Sequence, residues 1–278
     1  MSKDKESRKR IAEETLGFCQ EGIYMTGDGE IHLISADVAA AVAGTREWGP
    51  MDPLPVLPVK RHRTRFATVL SPSLEAAKRL ADDGKPPLVL NFASARNPGG
   101  GFRNGADAQE ESLARASALF LCLEGRALYQ AAAAGTMDRH LYASHVILSP
   151  NVPVIRDDAG TLVAPWACSF LTCPAPNAQA WLAQRSGRQN AQDLRKKIIG
   201  GRIMRLLNVA AQEEYEHLVL GAWGCGVFGC DPEMVADAFE RALRGHFSGS
   251  FQNVVFAIRE DRFDHPTVAP FARRFGTG

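Results

Sequence analysis

No sign of charge dominates this sequence. Thirty-two Lys and Arg stand against 31 Asp and Glu, for a formal net charge of +1. That excludes a global positive field for non-specific nucleic-acid binding, although a local site can still hold an anion. Long apolar runs are also missing, so no membrane-spanning helix is expected. The first ten residues are charged and lead into no apolar stretch, so no secretory signal is read and a reducing cytoplasm is expected. The chain has only six cysteines, and two pairs, Cys168/Cys173 and Cys225/Cys230, are spaced Cys-x4-Cys. Without the tighter Cys-x2-Cys spacing of zinc sites they are expected to be thiols and not metal ligands. The seven histidines form no His-x-x-x-His pair and are given no ligand role. Internal repeats and low-complexity tracts are absent as well.

What remains is an ordinary globular composition, 45% hydrophobic and 23% charged, enough for one large core without disulfides or metal. A helix is expected to about residue 20, with Ile11, Leu16 and Phe18 on one face and Gly22 as its stop. A hairpin follows, 23–25 and 31–34 around Asp28-Gly29. Four prolines between 50 and 58 forbid regular helix there. From residue 66 onward short apolar runs alternate with helical periods. Strands are expected at 66–70, 87–92, 142–148, 152–156, 162–172, 217–223 and 253–258, with a turn at 157–160. Helices are expected from Ser71-Pro72 to about 83, at 108–124, at 189–213 and from Pro232 to about 246. Such alternation predicts an α/β sheet covered by helices on both faces.

In open α/β sheets ligands bind beyond the carboxyl ends of strands. Two glycine-rich loops fit that place. One runs from Ala93 through Asn97-Pro98-Gly99-Gly100-Gly101, and the other is Gly224-Cys225-Gly226-Val227-Phe228-Gly229. Bare backbone amides can form an anion nest, and the helix after each loop adds its dipole. Either loop can equally be a plain tight turn. Neither is a Walker A loop or a Gly-x-Gly-x-x-Gly fingerprint, so the glycines alone specify only an anion or nucleotide site.

Gln109-Glu110-Glu111 opens the helix after the first loop. Acidic residues belong in a first turn because they complement the dipole, which is reason enough for them without catalysis. Neighbouring helical residues project about 100° apart, so Glu110 and Glu111 are not expected to flank one bond as a two-carboxylate pair. One should face the reaction while the other holds the ligand or the loop.

Gly-Gly-Gly, seven residues, then Gln-Glu-Glu resembles the signature of poly(ADP-ribose) glycohydrolases, and the text from Asn91 to Leu113 resembles their microbial branch. Residues 149–158 and 221–229 are similar to that branch too. The resemblance implies a macrodomain-like three-layer α/β/α sandwich with a mixed central sheet and an N-terminal helical extension. It divides a single catalytic domain, 1–278, into an extension (1–50), a core (about 55–260) and a C-terminal segment (261–278). It implies hydrolysis of ribose–ribose O-glycosidic bonds in poly(ADP-ribose), with no metal or cofactor. Glu111 would be the acid, Glu110 would hold ribose hydroxyls, Asn97 would position the same distal ribose, the Gly99, Gly100 and Gly101 loop would approach the ribose and diphosphate, and Gln109 would be a substrate-binding residue. Gly224, Cys225, Gly226, Val227 and Phe228 would bind the diphosphate, with Phe228 against the ribose. Asp37 is a weak match to an adenine contact, and Thr267 or Phe271 would meet the adenosine ribose, favouring cleavage from chain ends. The implied partners are ADP-ribose, its polymer and proteins carrying it, with no direct nucleic-acid or membrane contact and a monomeric enzyme. Two rivals stay open: an ADP-ribose-binding module without activity, and a mono-ADP-ribosyl hydrolase.

Overall fold

The computed structural model describes residues 3–53, 62–135, 144–177 and 191–278. The N-terminal helix α1 (Lys3–Glu21) buries Ala12, Thr15 and Cys19, a stripe at helical spacing, with Ile11, Leu16 and Phe18 half-buried at its margins. Gly22 ends it at φ +75, where a β-carbon would lie 2.5 Å from that of Ser35. The expected hairpin follows as β1 (Ile23–Met25) and β2 (Ile31–Leu33), paired antiparallel. Helix α2 (Ser35–Gly44) then leads to β3 (Arg46–Trp48).

The main sheet adds β4 (Arg65–Val69), β5 (Pro87–Ala93), β6 (Val146–Arg156), β7 (Leu162–Pro174), β8 (His217–Leu220) and β9 (Asn253–Ala257). Their spatial order is β3-β6-β7-β5-β8-β9-β4. From β7 to β4 every pairing is parallel, while β6 and β3 are each antiparallel to their inner neighbour. Both faces are covered, which is why β5 reads as a nearly continuous apolar run, interrupted by Asn91 alone. Leu88 and Leu90 face α7 (Ala191–Gln212), α8 (Pro232–Arg244) and α9 (Ala269–Phe275), in a core centred on Phe239, Phe256 and Phe271. Val89 faces the opposite layer, built by α2, α3 (Ser73–Asp82), α4 (Gln109–Ala116), α5 (Leu119–Leu123) and α6 (Ala127–Ala133). The result is a mixed sheet between two helical layers, the macrodomain-like arrangement.

Several local expectations change. The helix expected over 108–124 breaks at Ser117, which is extended (φ −147, ψ 172) and bridges to Val154. Its hydroxyl donates to Leu113 C=O and accepts the Leu119 N–H at 3.3 Å, ending α4 and starting α5. Helix α3 begins at Ser73, two residues later than expected, with Pro72 in the cap position and the Glu75 amide met from outside the helix by Asp158. The strands expected at 142–148 and 152–156 form one strand with register shifts between Ser149 and Val152, where Asn151 takes φ +48. The strand expected at 217–223 stops at Leu220. Helices α2, α6 and α9 were not foreseen, nor was β3, which joins the main sheet from within the expected extension. Residues 54–58 of the proline-rich stretch, 142–143 and 189–190 lie outside the described residues.

Candidate active site

Strands β5 and β8 are neighbours in the sheet, paired parallel with Pro87 opposite His217. Both therefore end on the same edge, and the two glycine loops face each other across it. Close packing sets the spacing there: a β-carbon on Gly221 would lie 2.6 Å from Ala257 C=O and 2.8 Å from Phe92 Cζ. Between the loops lies a cleft of about 550 Å³. Phe92, Ser94, Arg96 and residues 108–111 line one wall, and Ala222, Gly224, Gly226, Val227 and Phe228 the other; Ala175 and Asn177, past the end of β7, line it too. A larger depression of about 700 Å³, lined in part by Lys78, Arg79, Asp158 and Trp166, shares none of these residues and contains neither loop.

Gly99 (φ +68) and Gly100 (φ +61) adopt the left-handed backbone that glycine tolerates best. The triplet amides point at protein groups and not at an open nest. Gly100 N–H donates to Asn97 C=O at 3.0 Å, Gly101 N–H donates to Glu111 Oε1 at 2.9 Å, and the Gly99 amide faces the Glu110 carboxylate. Glu111 Oε2 accepts Ala108 N–H at 3.1 Å, the reach-back bond of a helix first turn. The triplet thus holds the acidic pair, which revises its expected role as a direct phosphate cradle.

Glu110 is 3% exposed. Its Oε2 accepts Ser94 N–H at 2.6 Å, while Oε1 has no hydrogen-bond partner among the described residues. Burial pushes its carboxyl well above the usual range, and the nearby Glu111 adds to the rise; the Ser94, Asn91 and Gly99 donors only partly oppose it. Both carboxylates converge on Gly100. A β-carbon there would stand 2.3 Å from Glu111 Oε1 and 3.0 Å from Glu110 Oε2. The 100° offset between neighbours therefore does not separate them, because the two long side chains fold back to one loop. Glu111 is the more open of the two.

Gln109 fixes the start of α4 against β5. Its Oε1 accepts Phe92 N–H at 2.9 Å, and its Nε2 donates to Leu90 C=O at 2.7 Å and to Ser73 Oγ at 3.1 Å. Its amide is spent on the scaffold, although the residue also lines the cleft. Across from it, Gly224 (φ +77) packs where a β-carbon would meet that of Ala175 at 2.8 Å, while Gly226 has open space around it. Phe228 lines the cleft and packs on the main core. Val227 is 81% exposed, so it does not anchor the loop. Cys225 is half-buried, and its thiol is pushed far up by burial, so no reactive thiolate faces the cleft.

The remaining expected residues lie elsewhere. Asn97 is exposed and enters the site through its backbone carbonyl. Asp37 is exposed in the first turn of α2 and does not line the cleft. Thr267 is half-buried in the turn before α9, its N–H donating to His265 Nδ1 at 3.3 Å. Phe271 is fully buried, 5.2 Å from Phe256 between ring centres, so it is a core residue without a ligand face. Conversely, Asn91 and Ser94 were not foreseen. Asn91, fully buried, donates to Thr172 Oγ1 at 3.1 Å beside Glu110. A lone Asn inside an apolar strand was the available signal. Among the described residues no cluster of His, Cys, Asp and Glu is arranged to hold a metal, and no helix is long and apolar enough to cross a membrane.

A mixed sheet between helical layers, with facing glycine loops and a carboxylate pair beneath one of them, defines a macrodomain-like protein with a candidate acid/base site. Residues 12–157 match the family model described as microbial-type PARG, catalytic domain, PARG being poly(ADP-ribose) glycohydrolase. The chain is similar to poly(ADP-ribose) glycohydrolase from Thermomonospora curvata, at 40% identity and a TM-score of 0.87, covering 97% of this chain and 100% of that one. A structure of that enzyme bound to the inhibitor ADP-HPD gives 43% identity and a TM-score of 0.86 over the same shares. The Deinococcus radiodurans enzyme in complex with ADP-ribose gives 41% and 0.77, covering 85% of this chain and 96% of that one. Comparison with curated proteins returned no significant match. The chain belongs to the microbial-type poly(ADP-ribose) glycohydrolases.

Proposed function

We propose that the cleft binds the terminal ADP-ribose of the polymer and that Glu111 cleaves the ribose–ribose bond as a single acid/base. One observation carries the assignment between the two glutamates: Glu111 is the more open carboxylate, whereas Glu110 is buried and bound to Ser94 N–H. Glu111 protonates the departing ribose oxygen as the C1–O bond breaks. An oxocarbenium-like centre develops at the anomeric carbon. Water then attacks that carbon, and the Glu111 carboxylate takes its proton, restoring the acid. Glu110, whose carboxyl is pushed up by burial, offers its unpartnered Oε1 to a hydroxyl of the same ribose. The 224–228 loop receives the diphosphate, with Phe228 against the ribose.

A second reading makes Glu110 the proton donor, favoured by the desolvation that raises its carboxyl above the usual range. The two Glu→Gln variants separate the readings. Glu111→Gln should lose polymer hydrolysis by on the order of a thousandfold or more while ADP-ribose still binds. Near-normal turnover in that variant would reject Glu111 as the acid.

The whole chain is proposed to act as one catalytic unit, monomeric and cytoplasmic, on proteins carrying the polymer. Six free thiols support a reducing compartment. The turn holding Thr267 is proposed to close over the adenosine ribose, so that cutting proceeds from chain ends. Early accumulation of free oligomers in a timed digest of long polymer would contradict that.

A further inference from the structure

The segment between the triplet and the acidic pair is gripped from outside the cleft. Gly101 C=O accepts Asn104 N–H at 2.9 Å and Ala106 N–H at 3.2 Å, folding the segment back on itself. Phe102 is buried beneath it with Ala12 of α1 and Ala114 of α4. Gly105, at φ +74, lies so close to α1 that a β-carbon would be 2.5 Å from Lys5 C=O. Arg8 of α1 donates Nε–H to Gly105 C=O at 2.9 Å. Arg115 of α4 donates to Ala106 C=O and, at 2.8 Å, to Asp107 Oδ1. Asp107 Oδ2 is 3.7 Å from Arg8 Nη1 and 3.5 Å from Arg259 Nη2, just beyond β9. Three consecutive residues, 105–107, are thus tied to α1, to α4 and to the chain just beyond β9, and the next amide, Ala108 N–H, already holds Glu111 Oε2.

We propose that Arg8 is a positioning residue: with Arg115 and Asp107 it fixes the 102–108 segment, so that the Gly101 and Ala108 amides hold the Glu111 carboxylate at the reacting bond. The proposal rests on Glu111 being the acid. It gives the N-terminal helix a task in turnover that its place outside the cleft conceals. Arg8 grips a carbonyl with Nε and a carboxylate with Nη1, a fork that a lysine ammonium cannot reproduce. The Arg8–Asp107 pair is partly solvent-exposed, so it adds little to global stability. Its effect should fall on geometry, where small displacements are costly to rate.

The test is Arg8→Ala in the full chain, made alone and with Glu111→Gln. Alone, kcat should fall on the order of tenfold, with KM and ADP-ribose affinity within about twofold and Tm within a few degrees. In the Glu111→Gln background the residual rate should not change, because the group being positioned is already disabled. Unchanged kcat in Arg8→Ala overturns the proposal. So does a loss confined to KM or Tm, or an equal fold-loss in both backgrounds. Failure of the Glu111 assignment would show separately, as an active Glu111→Gln enzyme.

Discussion

Glu111 occupies the space that a side chain at position 100 would need: a β-carbon on Gly100 would stand 2.3 Å from Glu111 Oε1. Glycine there is required twice over, by contact and by its φ of +61. Gly100→Ala should displace the carboxylate and lower kcat on the order of a hundredfold, at a cost of roughly 1–3 kcal/mol in stability. Rate and thermal unfolding measured together check both halves of the prediction. An alanine enzyme at wild-type speed would mean that Glu111 works from another position.

Glu110 predicts a pH-dependent stability. Its folded-state carboxyl titrates well above the unfolded value, chiefly because it is buried. Between the two values the native state holds more protons than the unfolded chain, so rising pH lowers stability through that window. Below the unfolded value of about 4.3 the penalty is absent. Glu110→Gln removes the titration, so its Tm relative to the parent should be higher at pH 7.5 than at pH 4, while turnover falls. An identical Tm difference at both pH values would contradict this.

Phe228 and Val227 are adjacent yet should respond differently. Phe228 lines the cleft and packs on the core, whereas Val227 is largely exposed. Phe228→Ala should weaken ADP-ribose binding by about tenfold, the order expected for losing one well-packed aromatic contact. Val227→Ala should change stability by less than about 0.5 kcal/mol. Calorimetric titration with ADP-ribose checks the first, and thermal or denaturant unfolding the second.

Phe271→Ala should behave as a core truncation. With the ring fully buried against Phe256, the expected loss is about 3–5 kcal/mol. Whatever variant remains folded should keep its KM. A selective rise in KM with normal unfolding would restore Phe271 as a ligand contact.

The parts of this fold legible in the sequence were those whose pattern is local. The mostly apolar run at 87–92, the amphipathic period after Pro232 and the Asp-Gly hairpin each carry their own signal, and each element is present. The break at Ser117 was hidden because it depends on Val154, 37 residues away, offering a bridge. Short elements such as α9 depend on packing, not periodicity, for Phe271 and Phe275 are held by Phe256. The site divides the same way. Triplet and acidic pair could be read together from their spacing, but the spacing was silent on which group each glycine amide would meet. Ser94 becomes visible only once the end of β5 is laid beside the start of α4, and Asn91, marked in the sequence only as a lone polar residue in an apolar strand, gains its meaning from lying beside Glu110.

The adjacency of β5 and β8 has a consequence for how the enzyme comes into being. The acidic pair is in place by residue 111, yet the opposite wall of the cleft is contributed by residues 222–228. More than a hundred residues must be synthesised between the two, and the strand that carries the second wall must then insert beside the first. Long-range parallel pairing is slow because the intervening chain has to be ordered first. A nascent chain therefore carries its carboxylate pair for a long stretch of translation before the opposite wall of the cleft exists. Activity should appear abruptly, when β8 docks, and not build up in proportion to length.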